Sequence, residues 1–226
     1  MDKLSAILSP LREEISSLKE AINFVDNKFE SFGKRIDSLE IKMKSIASST
    51  SELNDLKNRL DRFENDNNNK EQWSRRSNVE IYGIPDRKNE NLINVIKEIA
   101  DRCKFSFNPS TDIDFITRVA PKNKDNKQIK PIVVRFLARY RKDDFLALVR
   151  KLKLKTSDLG FSGSSPIHFN DHLTSANKSL LKRAKELAKE KNFMYVWVKN
   201  CSIMVRRSDT SPVIHIVDIK DLNKIK

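Results

Sequence analysis

The sequence predicts an α+β protein in which a long N-terminal parallel coiled coil leads into two small sheet-containing modules. Three observations predict it. Apolar residues recur at steps of four and three, without a miss, from Leu4 to Ile46. The middle of the chain alternates strand-like and helix-like patterns in the order βαββαβ. Charge divides the chain: residues 1–77 hold 14 Lys+Arg against 14 Asp+Glu, whereas 78–226 hold 30 against 17, so the last two-thirds carry the whole +13. A basic part behind a neutral one suits a polyanionic partner, most often nucleic acid.

Residues 1–70 read as an oligomerisation rod. Leu11, Ile15, Leu18, Ile22, Val25, Phe29, Phe32, Ile36, Leu39 and Met43 make its seam, at the 3.5-residue period that supercoils helices left-handedly. Ser9-Pro10 reads as the helix start, with Ser as cap and Pro in the first turn. The segment SIASSTS (45–51) interrupts the pattern, which resumes at Leu53, Leu56, Leu60 and Phe63. Ile46 is a d position and Leu53 the next a, so three residues are extra: a stammer near 45–53. If helical throughout, residues 4–67 span roughly 95 Å at about 1.5 Å per residue, and an a/d stripe so narrow leaves too little apolar surface for packing on the same chain. The rod therefore pairs with itself or a similar helix. Ile at a with Leu at d favours two strands, but Phe29, Phe32 and Met43 at the seam weaken that rule, so a dimer is one option and the stoichiometry stays open. The tract ENDNNNKEQ (64–72) has lost the apolar seam and reads as a frayed end, with 71–77 as a linker.

Within 78–165 the βαββαβ order unfolds element by element. NVEIYGIP (78–85) is a strand closed by a Pro turn, with Val79 and Ile81 alternating against Glu80 and Tyr82. ENLINVIKEIADRC (90–103) has helical spacing, with Asn89 as candidate cap. DIDFITRVA (112–120) and PIVVRF (131–136) are strands around a lysine-rich loop, RKDDFLALVRKLK (141–153) is a helix, and PIHFN (166–170) supplies a last short strand. This is the order of a ferredoxin-like sheet, and also of an RRM-like domain. The aromatic G-[FY]-[GA]-F signature of RNA-recognition motifs is missing from PIVVRF. The expected contacts are therefore cationic and directed at phosphates: Arg75, Arg76, Arg118, Lys122, Lys124, Arg135, Arg139, Arg141 and Lys142.

The C-terminal module, 166–226, holds a helix at 175–192 capped by Thr174, then FMYVWVKNCSIMVRR (193–207) and VIHIVDIKDLNKI (213–225). A two-residue turn at Asn200-Cys201 would set Lys199 against Ser202, Trp197 against Met204 and Tyr195 against Arg206 on one face. Met194, Val196, Val198, Ile203 and Val205 share the other, which is aliphatic and the better core. Tyr195, Trp197, Lys199, Arg206 and Arg207 then complete the candidate nucleic-acid-binding set.

SRRSNVEIYGIP (74–85), HFNDHLT (168–174) and YVWVKNCSIMVRR (195–207) resemble the baculovirus few-polyhedra (FP) protein family and insect proteins with an FP C-terminal domain. More distantly, the order coiled coil, RRM-like domain, C-terminal domain resembles the first-open-reading-frame protein of LINE-type retrotransposons. The retrotransposon resemblance implies a trimeric single-strand nucleic-acid binder and chaperone that coats RNA; the viral one implies association with nucleocapsids. Together they imply nucleic-acid binding and self-association, with RNA favoured over DNA. Members of the family typically carry Asn-Gly where this chain has Asn200-Cys201, a pair suited to positive φ at both turn positions. Cys at the second position predicts another turn type, or a longer turn.

No enzyme, cofactor or metal is expected. Two distant cysteines cannot make a zinc site alone, and His168 and His172 have no third ligand nearby in sequence. The four glycines form no nucleotide loop. No apolar run approaches the ~18 residues of a membrane span, and no secretory signal is legible. An intracellular setting is expected, nucleus or cytoplasm unresolved. The competing functional expectation is a coiled-coil scaffold, a nucleocapsid or transport adaptor without direct nucleic-acid binding.

Overall fold

The computed structural model describes residues 2–120 and 129–226, with side chains from residue 10 onward. Lys122 and Lys124 lie outside the described residues. The chain divides into two compact units, Met1–Glu64 and Asn65–Lys226.

Helix α1 runs from Asp2 to Ser74. It starts before Pro10, which sits inside it rather than in its first turn. The missing Pro N–H forfeits one backbone hydrogen bond near the helix start, and the helix continues through it. The helix also runs unbroken through SIASSTS. There the Thr50 hydroxyl donates to the Ile46 carbonyl at 2.8 Å and the Ser48 hydroxyl to Glu52 Oε1 at 3.5 Å, which keeps these polar residues compatible with helix.

The tract read as frayed end and linker is helical to Ser74, followed by a short turn into β1, Asn78–Tyr82. Its amides hold it. Asn68 Nδ2 donates to Asn177 Oδ1 at 3.0 Å, and Asn68 Oδ1 accepts from the Thr174 hydroxyl at 2.7 Å. Gln72 Oε1 accepts from Thr174 N and Asn177 Nδ2, while Gln72 Nε2 donates to the His172 carbonyl at 3.1 Å. The stabilising side chains here are polar, which is why a hydrophobic period could not reveal this stretch of helix.

After β1 come α2 (Leu92–Arg102), a single turn α3 (Pro109–Asp112), β2 (Ile113–Arg118), β3 (Ile132–Phe136), α4 (Arg139–Leu152) and β4 (His168–Asp171). The α2 cap is Asn91, two residues beyond the expected Asn89; its Oδ1 accepts from Ile93 N and Asn94 N. The four strands form one antiparallel sheet in the order β2-β3-β1-β4. Because β4 pairs with β1, residues 168–171 belong to this sheet and not to the C-terminal module. Val79, Ile81, Ile132, Val134, Phe136 and Phe169 face α2 and α4 across the core, where Phe145 packs edge-on against Phe105 and Phe169.

The C-terminal module has helix α5 (Ser175–Glu190) and a three-stranded sheet, β5 (Tyr195–Lys199), β6 (Ser202–Arg206) and β7 (Ile214–Ile216). Leu180, Ala184 and Ala188 of α5 pack on Ile203, Val205 and Ile216. Thr174 caps α5 as the sequence predicts, accepting from Asn177 N at 3.1 Å. Its hydroxyl is fully buried and serves Asn68 as well. Thr174→Ala is expected to lower the stability of the full chain by about 1–2 kcal/mol in urea unfolding, through loss of the cap and of the bond to α1.

Candidate nucleic-acid interface

The cations singled out in the sequence divide into two groups. Lys142 is fully buried, its Nζ 2.7 Å from Asp171 and 2.8 Å from Asp143. Burial opposes its charge, but the carboxylates more than offset that and hold its pKa above the ordinary lysine value. Arg118 chelates Glu90, pairs with Asp86 at 2.9 Å, and donates to the carbonyls of Ile84, Pro85 and Lys130. Its hydrogen bonds lower the Glu90 pKa. Arg141 grips Asp112 with two bonds of 2.8 Å, donates to the Ser106 carbonyl and lies over Phe105. Arg75 donates to His172 Nε2 at 2.9 Å and to the Leu173 carbonyl. These four already bond the protein's own acceptors, with Lys142 fully buried and Arg75, Arg118 and Arg141 partly exposed.

Arg76, Arg135, Arg139, Lys199, Arg206 and Arg207 stay accessible in whole or part. The hairpin pairs in the predicted register, Tyr195 with Arg206, Trp197 with Met204 and Lys199 with Ser202. Val196, Val198, Ile203 and Val205 turn to α5, so Tyr195, Trp197 and Lys199 project from the opposite face. Tyr195 donates its hydroxyl to Asp209 at 2.8 Å and lies under Arg206. The turn differs from expectation. Asn200 and Cys201 both have positive φ, +54° and +64°, so the two-residue turn survives with Cys in the left-handed region. The Cys201 side chain is buried against Asp171 (Sγ to Oδ1, 3.8 Å), and this packing holds a residue that a free turn would not choose. Burial first, and the Asp171 carboxylate second, push its thiol up to about 11, so it stays protonated at neutral pH.

Three of the accessible cations meet. Arg76, Arg139 and Lys199 line a cleft of about 650 Å³ between the end of α1, the start of α4 and the β5–β6–β7 sheet. Trp73, Met204 and His215 line it too, with the amides of Asn69, Gln72, Asn177 and Asn200. Arg76 stacks on Trp73, its guanidinium carbon 3.5 Å from the ring centroid, while Trp73 remains 66% exposed. Sequence reasoning missed Trp73, Met204 and His215. The signal for Trp73 was a lone aromatic beside paired arginines in EQWSRR; Met204 was already on the Trp197 face by the hairpin register, and only the β6–β7 pairing puts His215 beside it. The sheet face away from α2 and α4, by contrast, is partly closed. Lys178 of α5 reaches over β1 to bond Glu80 at 2.7 Å and the Tyr82 hydroxyl at 3.2 Å.

His172 stands behind the cleft, where α1, β1 and β4 meet. Its Nε2 accepts from Arg75, so Nδ1 carries the ring proton and faces the Asn78 amide at 3.1 Å. The Asn78 amide therefore turns its oxygen to this proton, with its Nδ2 in the buried position that has no partner among the described residues. Burial outweighs the nearby Glu80 and, with Arg75 and Lys178, lowers the His172 pKa to about 4.

Residues 174–226 match the family model of Baculovirus FP protein domain 2. The match begins at the α5 cap and takes in the whole β5–β6–β7 sheet. It supports the few-polyhedra family resemblance carried by YVWVKNCSIMVRR. No curated protein gives a match to the chain. No helix among the described residues is long and apolar enough to cross a membrane.

Two outcomes follow from this geometry. Lys142→Met leaves the buried Asp171 short of a cation and is expected to cost about 3–5 kcal/mol in denaturant unfolding, without changing the salt dependence of any polyanion binding. Between pH 6.5 and about 4 the unfolded chain protonates its histidine while folded His172 does not. The unfolded state binds more protons in that window, so stability is full above pH 6.5 and falls as pH drops toward 4. Denaturant unfolding across this range, compared with His172→Gln, should show a shallower fall in the variant, the remaining slope belonging to carboxylates.

Proposed function

We propose that this is a self-associating, largely sequence-nonspecific single-stranded nucleic-acid-binding protein of viral or transposon FP type, with an RNA-coating or chaperone-like role. The observation that carries the reading is the cleft, where Arg76, Arg139 and Lys199 surround an exposed Trp73. Cations give sequence-independent affinity for phosphates, and an aromatic face accepts any base. The outward Tyr195 and Trp197, beside Arg206, extend the same chemistry along β5. The antiparallel order β2-β3-β1-β4, with both long helices on one face, supports an RRM-like module. With Lys178 across its open face, the strand runs through the cleft and not over the sheet.

Self-association rests on α1. From Leu11 to Met43 the ten seam residues are between 47% and 71% exposed. A row of large apolar side chains so open, at coiled-coil spacing, supports a coiled coil with further copies of this chain. Linked copies would set several clefts on one strand and raise avidity through effective concentration. The exposed seam also favours the second reading, a coiled-coil scaffold or nucleocapsid adaptor in which the basic surface has no nucleic-acid role.

Fluorescence anisotropy of a labelled single-stranded RNA with the full chain distinguishes the two. Affinity is expected to fall about tenfold or more between about 50 and 200 mM salt, and Trp73→Ala to weaken it with the fold intact by circular dichroism. An affinity indifferent to salt, or no binding by a protein that sediments as an oligomer, would leave the scaffold reading.

A further inference from the structure

Arg76 presents an unsolved piece of bookkeeping at the atomic level. Its Nη1 is buried and has no hydrogen-bond partner among the described residues. A guanidinium N–H left without an acceptor is costly, and such groups in folded proteins call for a specific explanation. Stacking on Trp73 holds the plane of the guanidinium but supplies no acceptor for an N–H lying in that plane.

The surroundings say what the acceptor is. Arg76 and Trp73 also line a second, smaller pocket of about 270 Å³, together with Ser74, Ser77, Asp114 and Arg135. Two cations face it. Arg135 is partly exposed and pairs with Asp114, Nε to Oδ2, at 3.2 Å. Asp114 is itself about half exposed, and the pocket lining counts two guanidinium groups against this one carboxylate, a positive excess. A neutral or cationic ligand would leave that excess uncompensated. An oxyanion between the two guanidinium groups offers acceptors to both Arg76 and Arg135 and suits the fork geometry of arginine.

We propose that the Arg76–Arg135 pocket is a subsite for one phosphate of a single-stranded nucleic-acid backbone, with the Trp73–Arg76 stack as the ridge between it and the cleft. The proposal rests on the nucleic-acid reading above and adds a position to it. The strand crosses Trp73, its base or sugar on the cleft side and its phosphate held between the two arginines.

The test is the salt dependence of binding of a short fluorescein-labelled oligouridylate to the full chain. For single strands, log K falls with log salt by about 0.7 per phosphate neutralised. Arg76→Gln and Arg135→Gln are each expected to reduce that slope by about 0.7 or less. Because both act on one phosphate, the double variant should lose little more than either single. Arg76→Lys keeps the charge and should keep most of the slope. Wild-type binding with an unchanged slope in both Gln variants would overturn the subsite while leaving the nucleic-acid reading in place. A double variant losing the sum of the singles would overturn it too, by assigning the arginines to separate phosphates. No binding by the wild type is the distinct outcome in which the underlying reading itself fails. Should Arg76→Gln not fold, Arg135→Gln decides alone, since that side chain is partly solvent-exposed and its loss frees only a half-exposed Asp114.

Discussion

The buried carboxylate of Asp171 is the interaction on which the Asn65–Lys226 unit depends. Its side chain is 1% exposed, at the end of an edge strand, where a lone charge would be untenable. Three neighbours make it tenable: Lys142 at 2.7 Å, Arg150 at 3.3 Å, and the Cys201 thiol at 3.8 Å. Lys142 and Arg150 lie about two turns apart on one side of α4, so the carboxylate fastens that helix to β4. Cys201 lies at the tip of the β5–β6 turn, so the same carboxylate reaches the C-terminal module. The left-handed backbone at Cys201 persists because its side chain ends in this buried place.

Beside that ion pair lies a second fastening made of amides. Asn68, Gln72, Thr174 and Asn177 saturate one another across the end of α1 and the start of α5, and Arg75, His172 and Asn78 continue the network to β1. Buried networks of this kind are favourable only when every member is satisfied. Here a neutral His172 with its proton on Nδ1 serves both Arg75 and the Asn78 oxygen, burial keeps it neutral, and one end of the Asn78 amide is left without a partner among the described residues. The consequence for the proposed site is positional. Trp73 and Arg76, at the end of α1, are held opposite Lys199 and Met204 by bonds to residues about a hundred positions away in sequence.

Charge counting alone misjudges such a surface. The excess of 30 basic over 17 acidic residues after position 77 reads as a broad cationic face. Folding converts part of it into internal structure: Arg118 into a clamp on Glu90 and Asp86, Arg141 into a clamp on Asp112, Lys142 into the partner of Asp171. What is left over is smaller but better placed, and Trp73 among the remaining cations makes it chemically distinct from a merely soluble basic face.

The α5 cap, the hairpin register and the outward direction of Tyr195 and Trp197 were legible in the sequence, because each follows from contacts within a few residues or from strict alternation. So was the strand and helix order of 78–171, and the helical state of the residues that carry the four-three repeat, whose period is intrinsic to the helix. The helical state of 64–74 was not, because its stabilising partners are amides contributed from beyond residue 170. Nor was the sorting of the arginines and lysines. The pairs Arg118–Glu90, Arg141–Asp112 and Lys142–Asp171 are 28 or 29 residues apart, and only strand pairing and helix docking bring them together. The sequence by itself determined which elements form and which face of each is apolar, since backbone periodicity is local. Tertiary structure alone decided which cations remain free to meet a ligand, since an ion pair depends on distance in space and no local pattern encodes it.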